Sequence, residues 1–312
     1  MNFPESVLLR EDGPREGFQM NEEVIPTKKK LELIDALSKT GIRSIEVTSF
    51  VRPDRVPQHA DADDVCKGLT EVPGLRYRAL YLNEKGLDRA LSHPTIKPEG
   101  YILIAASEPF LKKNNNQTLE EAIEGIGSWL DAFLAHGIKL ERVMMSTAFG
   151  DADTGPLPAK STLAVCERVI DRLADKGAEL PEMTLADTTG YANPESVENL
   201  VKAFQDRWPK IQVGLHLHDT RGTGMANVYA GLQCGVSRFD ASVGGLGGCP
   251  FTKSTAGNVP TEDVAFLCEQ LGISTGVDLK AYIAAAKLAE TIVGRKLPGK
   301  LKDAGLLQGN PQ

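Results

Sequence analysis

The chain has 312 residues, 41% of them hydrophobic, enough to bury the core of one large α/β domain or of two ordinary ones. Its 35 lysines and arginines against 42 aspartates and glutamates leave a net charge of -7, without the basic excess that a nucleic acid or an anionic bilayer surface would need. The opening MNFPESVLLRED has no basic start followed by a long apolar run, and no window reaches the roughly 20 apolar residues of a membrane span, so a cytoplasmic protein with no membrane and no nucleic-acid partner is expected.

Taken in chain order, the first strand is predicted at SVLLRE (6–11), followed by the turn GPREG and a helix at KKKLELIDALSKTG (28–41). Further strands follow at SIEVTSF (44–50), YRALYL (77–82) and YILIAAS (101–107), then a helical stretch at 118–137. RVMMSTAF (142–149) and MTLADTT (183–189) are the fifth and sixth strands, and a helix is predicted at 195–208. IQVGLHLHD (211–219) and RFDASVGG (238–245) are the seventh and eighth, and a last helix spans 278–294. Strand then helix, repeated about eight times, is the signature of an α/β fold of the (β/α)8 TIM-barrel type. No linker or low-complexity tract interrupts residues 1–312, so a single domain is expected. The helical extension at about 278–312 would cover part of the barrel or a partner subunit. An open doubly wound sheet is the alternative, but GPREG lacks the G-x-G-x-x-G phosphate turn.

In such a barrel the chemistry gathers at the carboxyl ends of the strands. Arg15 and Glu16 follow the first strand, Glu46 and Ser49 sit in or just beyond the second, Asp187 ends the sixth, and His216 and His218 end the seventh, with Cys249 and Asn258 in the loop after the eighth. On a strand, residues two apart share a face, so the imidazoles of His216 and His218 converge. Alone, such a pair is as often a solvated or core feature as a metal site. With Glu16 and Asn258 it becomes a mixed oxygen and nitrogen set, suited to an open Mg²⁺ or Mn²⁺ site rather than closed tetrahedral zinc, the imidazoles favouring Mn²⁺ or another divalent ion.

GGLGGCPF (244–251) is read as a lid, because four of its first five residues are glycine. Cys249 at its tip could exchange a proton, whereas Cys66, Cys166, Cys234 and Cys268 fall in helical patterns as packing residues. The odd count and the absence of CxxC argue against a disulfide framework. Asp187 reads equally as an acid or base and as a helix cap. Lys112 and Asn114 in KKNNN (112–116), with Arg142, are candidates for contacts to a phosphate-bearing cofactor, against a solvated face for the lysines. His59, His93 and His136 are unpaired in the pattern and receive no role.

GPREGFQ (13–19), SIEVTSFV (44–51), LADTTG (185–190), HLHDTRGTGMAN (216–227) and SVGGLGGCPF (242–251) with AGN (256–258) together resemble the 3-hydroxy-3-methylglutaryl-CoA lyase family. The resemblance covers nearly the whole chain, and the glycine-cysteine-proline loop is its most specific motif. It implies a divalent cation held by Glu16, His216, His218 and Asn258, and an acyl-CoA thioester substrate that brings coenzyme A with it. It further implies Arg15 stabilising the enolate oxygen, Asp187 or His216 taking the hydroxyl proton, Cys249 protonating the acetyl-CoA carbanion, Glu46 orienting Arg15 or aiding proton transfer, and a homodimer.

Two departures stand out. The family's usual aspartate after the arginine is Glu16 here, and FGDADTG (149–155) replaces a Cys-Pro-aromatic-Glu-Gly run. The expected reaction is retro-Claisen cleavage of a 3-hydroxy-3-alkyl dicarboxylyl-CoA to acetyl-CoA and a keto acid such as acetoacetate. A citramalyl-CoA or longer branched substrate, condensation in the opposite direction, and a thioester-binding protein without turnover are the alternatives.

Overall fold

Every residue of Ser44–Ser49 is buried, apolar and polar alike, as in a parallel strand covered on both faces. The structure of the protein, a computed structural model, describes residues 3–248 and 257–307. Its strands are β1 (Leu8–Glu11), β2 (Ser44–Ser49), β3 (Arg76–Leu80), β4 (Gly100–Ala105), β5 (Leu140–Ser146), β6 (Gly150–Asp151), β7 (Gly155–Pro156), β8 (Glu182–Asp187), β9 (Gln212–Leu217) and β10 (Arg238–Ala241). The helices are α1 (Thr27–Ser38), α2 (Ala62–Lys67), α3 (Glu84–Leu91), α4 (Glu108–Asn115), α5 (Leu119–Glu124), α6 (Ile126–Ala135), α7 (Ala159–Asp175), α8 (Pro194–Arg207), α9 (Gly224–Gln233), α10 (Thr261–Gln270), α11 (Leu279–Val293) and α12 (Leu301–Ala304).

Eight strands form one sheet in the order β3-β2-β1-β10-β9-β8-β5-β4. Apart from β3 and β4, which end the order, the sheet's strands follow one another as they do along the chain, β10 lies beside β1, and helices intervene, which is the (β/α)8 TIM-barrel order expected from the sequence. Two details differ. The helical stretch predicted at 118–137 is α5 and α6, meeting at Gly125. The antiparallel pair β6–β7 is too short to leave a pattern of its own.

By internal packing the chain falls into two compact units, Glu5–Pro98 with Asp240–Gln312, and Met1–Pro4 with Glu99–Phe239. In the first unit the predicted C-terminal helix is α11, capped by the Asp278 side chain at its start and by left-handed Gly294 at its end. Its buried Tyr282 donates its hydroxyl hydrogen to Glu11 at the end of β1. The Glu11 carboxylate also accepts from Gly13 N (2.7 Å), Val243 N (2.9 Å) and Thr261 Oγ1 (2.7 Å). A Cβ on Gly13 would stand 2.5 Å from Glu11 Oε1, so only glycine admits this approach. Burial raises the Glu11 pKa, and the four hydrogen bonds act against that rise.

Glu262, on α10, accepts from Gly244 N at 2.9 Å, and burial pushes its carboxyl up to about 8. The folded state therefore retains this proton while the unfolded chain loses it above about 4.5. Stability should then fall as pH rises from about 4.5 to about 8, by at most about 1.4 kcal/mol per pH unit for this group. Glu262→Gln keeps an acceptor for Gly244 and cannot ionise. Denaturant midpoints measured across that range should decline less steeply for the variant than for the natural chain, and parallel declines would refute the assignment.

In the second unit, side-chain caps fix where helices start: Ser107 for α4, the Thr118–Glu121 capping box for α5, and Asn193 with Ser196 for α8. Thr147, just past β5, has φ 51°, a left-handed conformation that costs a β-branched residue roughly 1–3 kcal/mol. It is held there by its neighbours. Its N–H donates to Thr188 Oγ1 (3.0 Å), and its hydroxyl donates to Ser146 O (2.8 Å) and accepts from Ser107 N (3.2 Å).

Candidate active site

In the first unit the segment after β1, Gly13–Gly17, winds as a single π-helical turn, a geometry found disproportionately at functional sites. The N–H groups of Arg15 (3.1 Å) and Glu16 (2.8 Å) both donate to Asp12 O, which projects the two side chains from one root. Arg15 Nε donates to Glu46 Oε2, and its Nη2 lies 3.4 Å from Glu16 Oε2. Burial opposes the Arg15 charge, but the carboxylates of Glu46, Glu16 and Asp12 outweigh it and hold the guanidinium charged. His59 Nε2 donates to Arg15 O at 2.9 Å, and burial depresses its pKa to about 4, so the imidazole is neutral.

Asn258 is fully buried, and its amide nitrogen donates to Ser242 Oγ (2.8 Å) and Leu246 O (3.4 Å). These bonds fix the flip of the amide. Its oxygen, Oδ1, then has no hydrogen-bond partner among the described residues. An unsatisfied buried carbonyl costs about 1–3 kcal/mol, which a cation would recover. Gly247, at φ +120°, lies against the same group: a Cβ there would meet Asn258 Nδ2 at 2.7 Å and Glu16 Oε1 at 3.4 Å. Glycine at 247 thus leaves room beside the Glu16 carboxylate and the Asn258 amide.

In the second unit, β9 directs His216 to one face, and His218 follows on the same side. Both are buried, with Nε2 atoms 3.2 Å apart and ring centroids 5.2 Å apart. The convergence expected from the HxH spacing is present. Asp219, next in sequence, accepts from Gly224 N at 2.7 Å and holds the start of α9. Asp187, fully buried at the end of β8, uses Oδ1 to accept from Tyr191 N (2.7 Å), while Oδ2 has no partner among the described residues. Burial raises its pKa against the opposing charge of His218. Asp187 is therefore both a turn former and a carboxylate with one oxygen available to take a proton.

The remaining expected residues divide. Lys112 and Asn114 lie exposed on the last turn of α4, beyond the carboxyl end of β4, and Asn114 Nδ2 donates to Phe110 O at 2.8 Å. Lys113 beside them is paired with Asp153 of the β6–β7 turn at 2.6 Å. Arg142 does not fit the phosphate role. It lies near the amino end of β5, is 2% exposed, pairs with Glu99 at 3.1 Å and stacks over Tyr101, so neither its place nor its charge is open to a cofactor. Cys249, the expected proton donor, lies outside the described residues. Gly244–Gly248, the described part of the loop read as a lid, is buried, and Gly247 allows close approach there.

Sequence reasoning missed His59, Asp12 and Arg78. Arg78 Nη2 lies 2.8 Å from Asp12 Oδ1 and its Nη1 3.6 Å from Glu46 Oε1. Burial, partly offset by Arg78, raises Asp12 to about 7. Only the odd placement of Arg78 inside the predicted strand YRALYL signalled a buried partner.

The family model HMGL-like matches residues 7–289. The hydroxymethylglutaryl-CoA lyase YngG of Bacillus subtilis is 37% identical over 300 residues, 96% of this chain and 97% of its own. The mitochondrial hydroxymethylglutaryl-CoA lyase of Gallus gallus is 37% identical over 97% of this chain and 98% of its own. Among solved structures, the HMG-CoA lyase of Bacillus subtilis superposes with a TM-score of 0.89 at 36% identity, covering 97% of this chain and 99% of that one. An HMG-CoA lyase of Acinetobacter baumannii, in complex with coenzyme A and 3-methylmalate, superposes with a TM-score of 0.87 at 32% identity, covering 100% and 99%.

Proposed function

The chain belongs to the HMGL-like family, and from that membership we infer that it is a carbon–carbon lyase that splits a 3-hydroxy-3-alkyl dicarboxylyl-CoA into acetyl-CoA and a keto acid. HMG-CoA, giving acetoacetate, is the reference substrate, because it is what the named relatives cleave. Coenzyme A bound to the Acinetobacter baumannii relative supports a thioester as the ligand, with Lys112 and Asn114 on α4 assigned to its phosphates.

What carries the metal reading is the buried Asn258 amide oxygen, which has no hydrogen-bond partner among the described residues. Glu16, His216 and His218 would supply the anionic and imidazole donors of the set. Such an ion, Mg²⁺ or Mn²⁺, would supply Lewis-acid charge to the oxygens of the substrate's hydroxyl and carboxylate. The chain's own residues do the rest. Arg15, fixed at Nε by Glu46, presents the remainder of its guanidinium to the oxygen that gains charge as the carbon–carbon bond breaks. Asp187 takes the hydroxyl proton, since burial raises its basicity and one oxygen is open, whereas His216 is committed as a ligand. Protonation of the acetyl-CoA carbanion is assigned to Cys249 on sequence alone.

No helix among the described residues is long and apolar enough to cross a membrane. A cytoplasmic homodimer is the assembly we assign, and light scattering on the purified protein tests the dimer.

The function is tested by incubating the protein with Mn²⁺ and a panel of hydroxyacyl-CoA thioesters and detecting acetyl-CoA by mass spectrometry. At least one thioester should yield acetyl-CoA, and binding without product from any would sink the lyase reading. Glu16→Asp withdraws the carboxylate by about one bond length. In a site tuned to glutamate this variant should lower kcat by roughly tenfold and weaken Mn²⁺ binding together, and an equal or faster rate would contradict the tuning.

A further inference from the structure

We propose that Arg78 is a positioning residue for the cleavage: it fixes Glu46 and, through Glu46, turns the Arg15 guanidinium toward the developing enolate oxygen. The inference rests on the lyase reading for its consequence, but its geometry stands on contacts within the first unit.

β2 and β3 pair in register with Glu46 directly opposite Arg78, and the register slips between Glu46 and Thr48, a bulge of the kind that re-aims a side chain beside a site. The two oxygens of Glu46 then bridge two guanidiniums: Oε2 takes Arg15 Nε, and Oε1 faces Arg78 Nη1 at 3.6 Å. Arg78 is itself pinned on two other sides, by Ser44 Oγ at 2.7 Å from Nε and by Asp12 Oδ1 at 2.8 Å from Nη2. Asp12 is also the residue whose carbonyl roots the turn carrying Arg15 and Glu16. One planar fork thus ties the Glu46 side chain to the root of that turn. At 2% exposure and with three partners engaged, Arg78 acts on the reaction through Glu46 rather than by touching substrate. Lysine, a single point donor, cannot span Ser44, Asp12 and Glu46 together.

The alternative is that Arg78 only neutralises Asp12. The double variant Asp12→Asn with Arg78→Met separates the two, because it removes the buried pair as a unit. If Arg78 positions Glu46, the double variant should melt near the natural temperature yet lose about a hundredfold in kcat, with KM for the thioester within about threefold. Arg78→Lys, which keeps the charge, should lose roughly tenfold or more in kcat and serves if the double variant does not fold. The second readout does not need turnover: the ¹⁵N-labelled Arg15 Nε–H resonance, assigned by its loss in Arg15→Met, should be slow to exchange in the natural chain and exchange-broadened in both Arg78 variants. Natural kcat in the variants, or an unchanged Arg15 resonance, overturns the proposal. Should the natural chain cleave no thioester, the lyase reading fails, and the resonance still decides whether Arg78 orders Arg15.

Discussion

Alanine at both His216 and His218 should abolish measurable Mn²⁺ binding by calorimetry and reduce kcat/KM by about a thousandfold or more. The two imidazoles are half of the proposed ligand set, and Glu16 with the Asn258 amide cannot hold an ion alone against its hydration shell. Lewis-acid stabilisation is worth several kcal/mol of transition-state energy, and each 1.4 kcal/mol is tenfold in rate, so a loss of about 4 kcal/mol gives the stated factor. The rings are buried with their Nε2 atoms 3.2 Å apart, close enough for both nitrogens to reach one ion. A double variant that still binds Mn²⁺ with near-natural affinity would take these histidines out of the site.

Arg15→Met should leave Mn²⁺ affinity within about threefold and lower kcat by about 10²–10³, the cost of removing one preorganised donor from an oxyanion site. The variant separates charge stabilisation from metal binding, because Arg15 touches Glu46 and Glu16 but is not a ligand. Arg15→Lys should recover little of the loss: a lysine that pairs with Glu46 has no second nitrogen to offer the substrate. Steady-state kinetics with calorimetry on the same preparations checks both halves, and a fall in Mn²⁺ affinity that tracks the fall in kcat would contradict the assignment.

The parts of this site that were legible in the sequence are those with a local period. His216 and His218 are two residues apart on a strand, so their common face follows from backbone geometry alone. The eight strands were legible because strands covered on both faces are written as short runs rich in β-branched residues, such as SIEVTS. Glu46 was placed by the same logic, within such a run.

What stayed hidden depended on contacts far apart in sequence. Arg78 meets Asp12 across 66 residues and His59 meets the Arg15 carbonyl across 44, so neither had a neighbour in the chain to announce its role. Arg142 was misread for a related reason. An arginine in a strand looks the same whether it points to a phosphate or to Glu99, and only the pairing with Glu99 near the amino end of β5 decides between them. The glycine run was ambiguous by composition, since glycine serves a moving loop and a tight contact equally, and Gly247 turned out to back onto Asn258 and Glu16. The orphaned oxygen of Asn258 could be known only once Ser242 and Leu246 had fixed the amide's orientation.

Anomalous diffraction from a crystal soaked in Mn²⁺ tests the central claim most directly. The account predicts one strong peak bonded to a Glu16 carboxylate oxygen, the Asn258 amide oxygen and one ring nitrogen each of His216 and His218. No peak at saturating Mn²⁺, or a peak that leaves the Asn258 oxygen and both imidazoles without an ion, would contradict it.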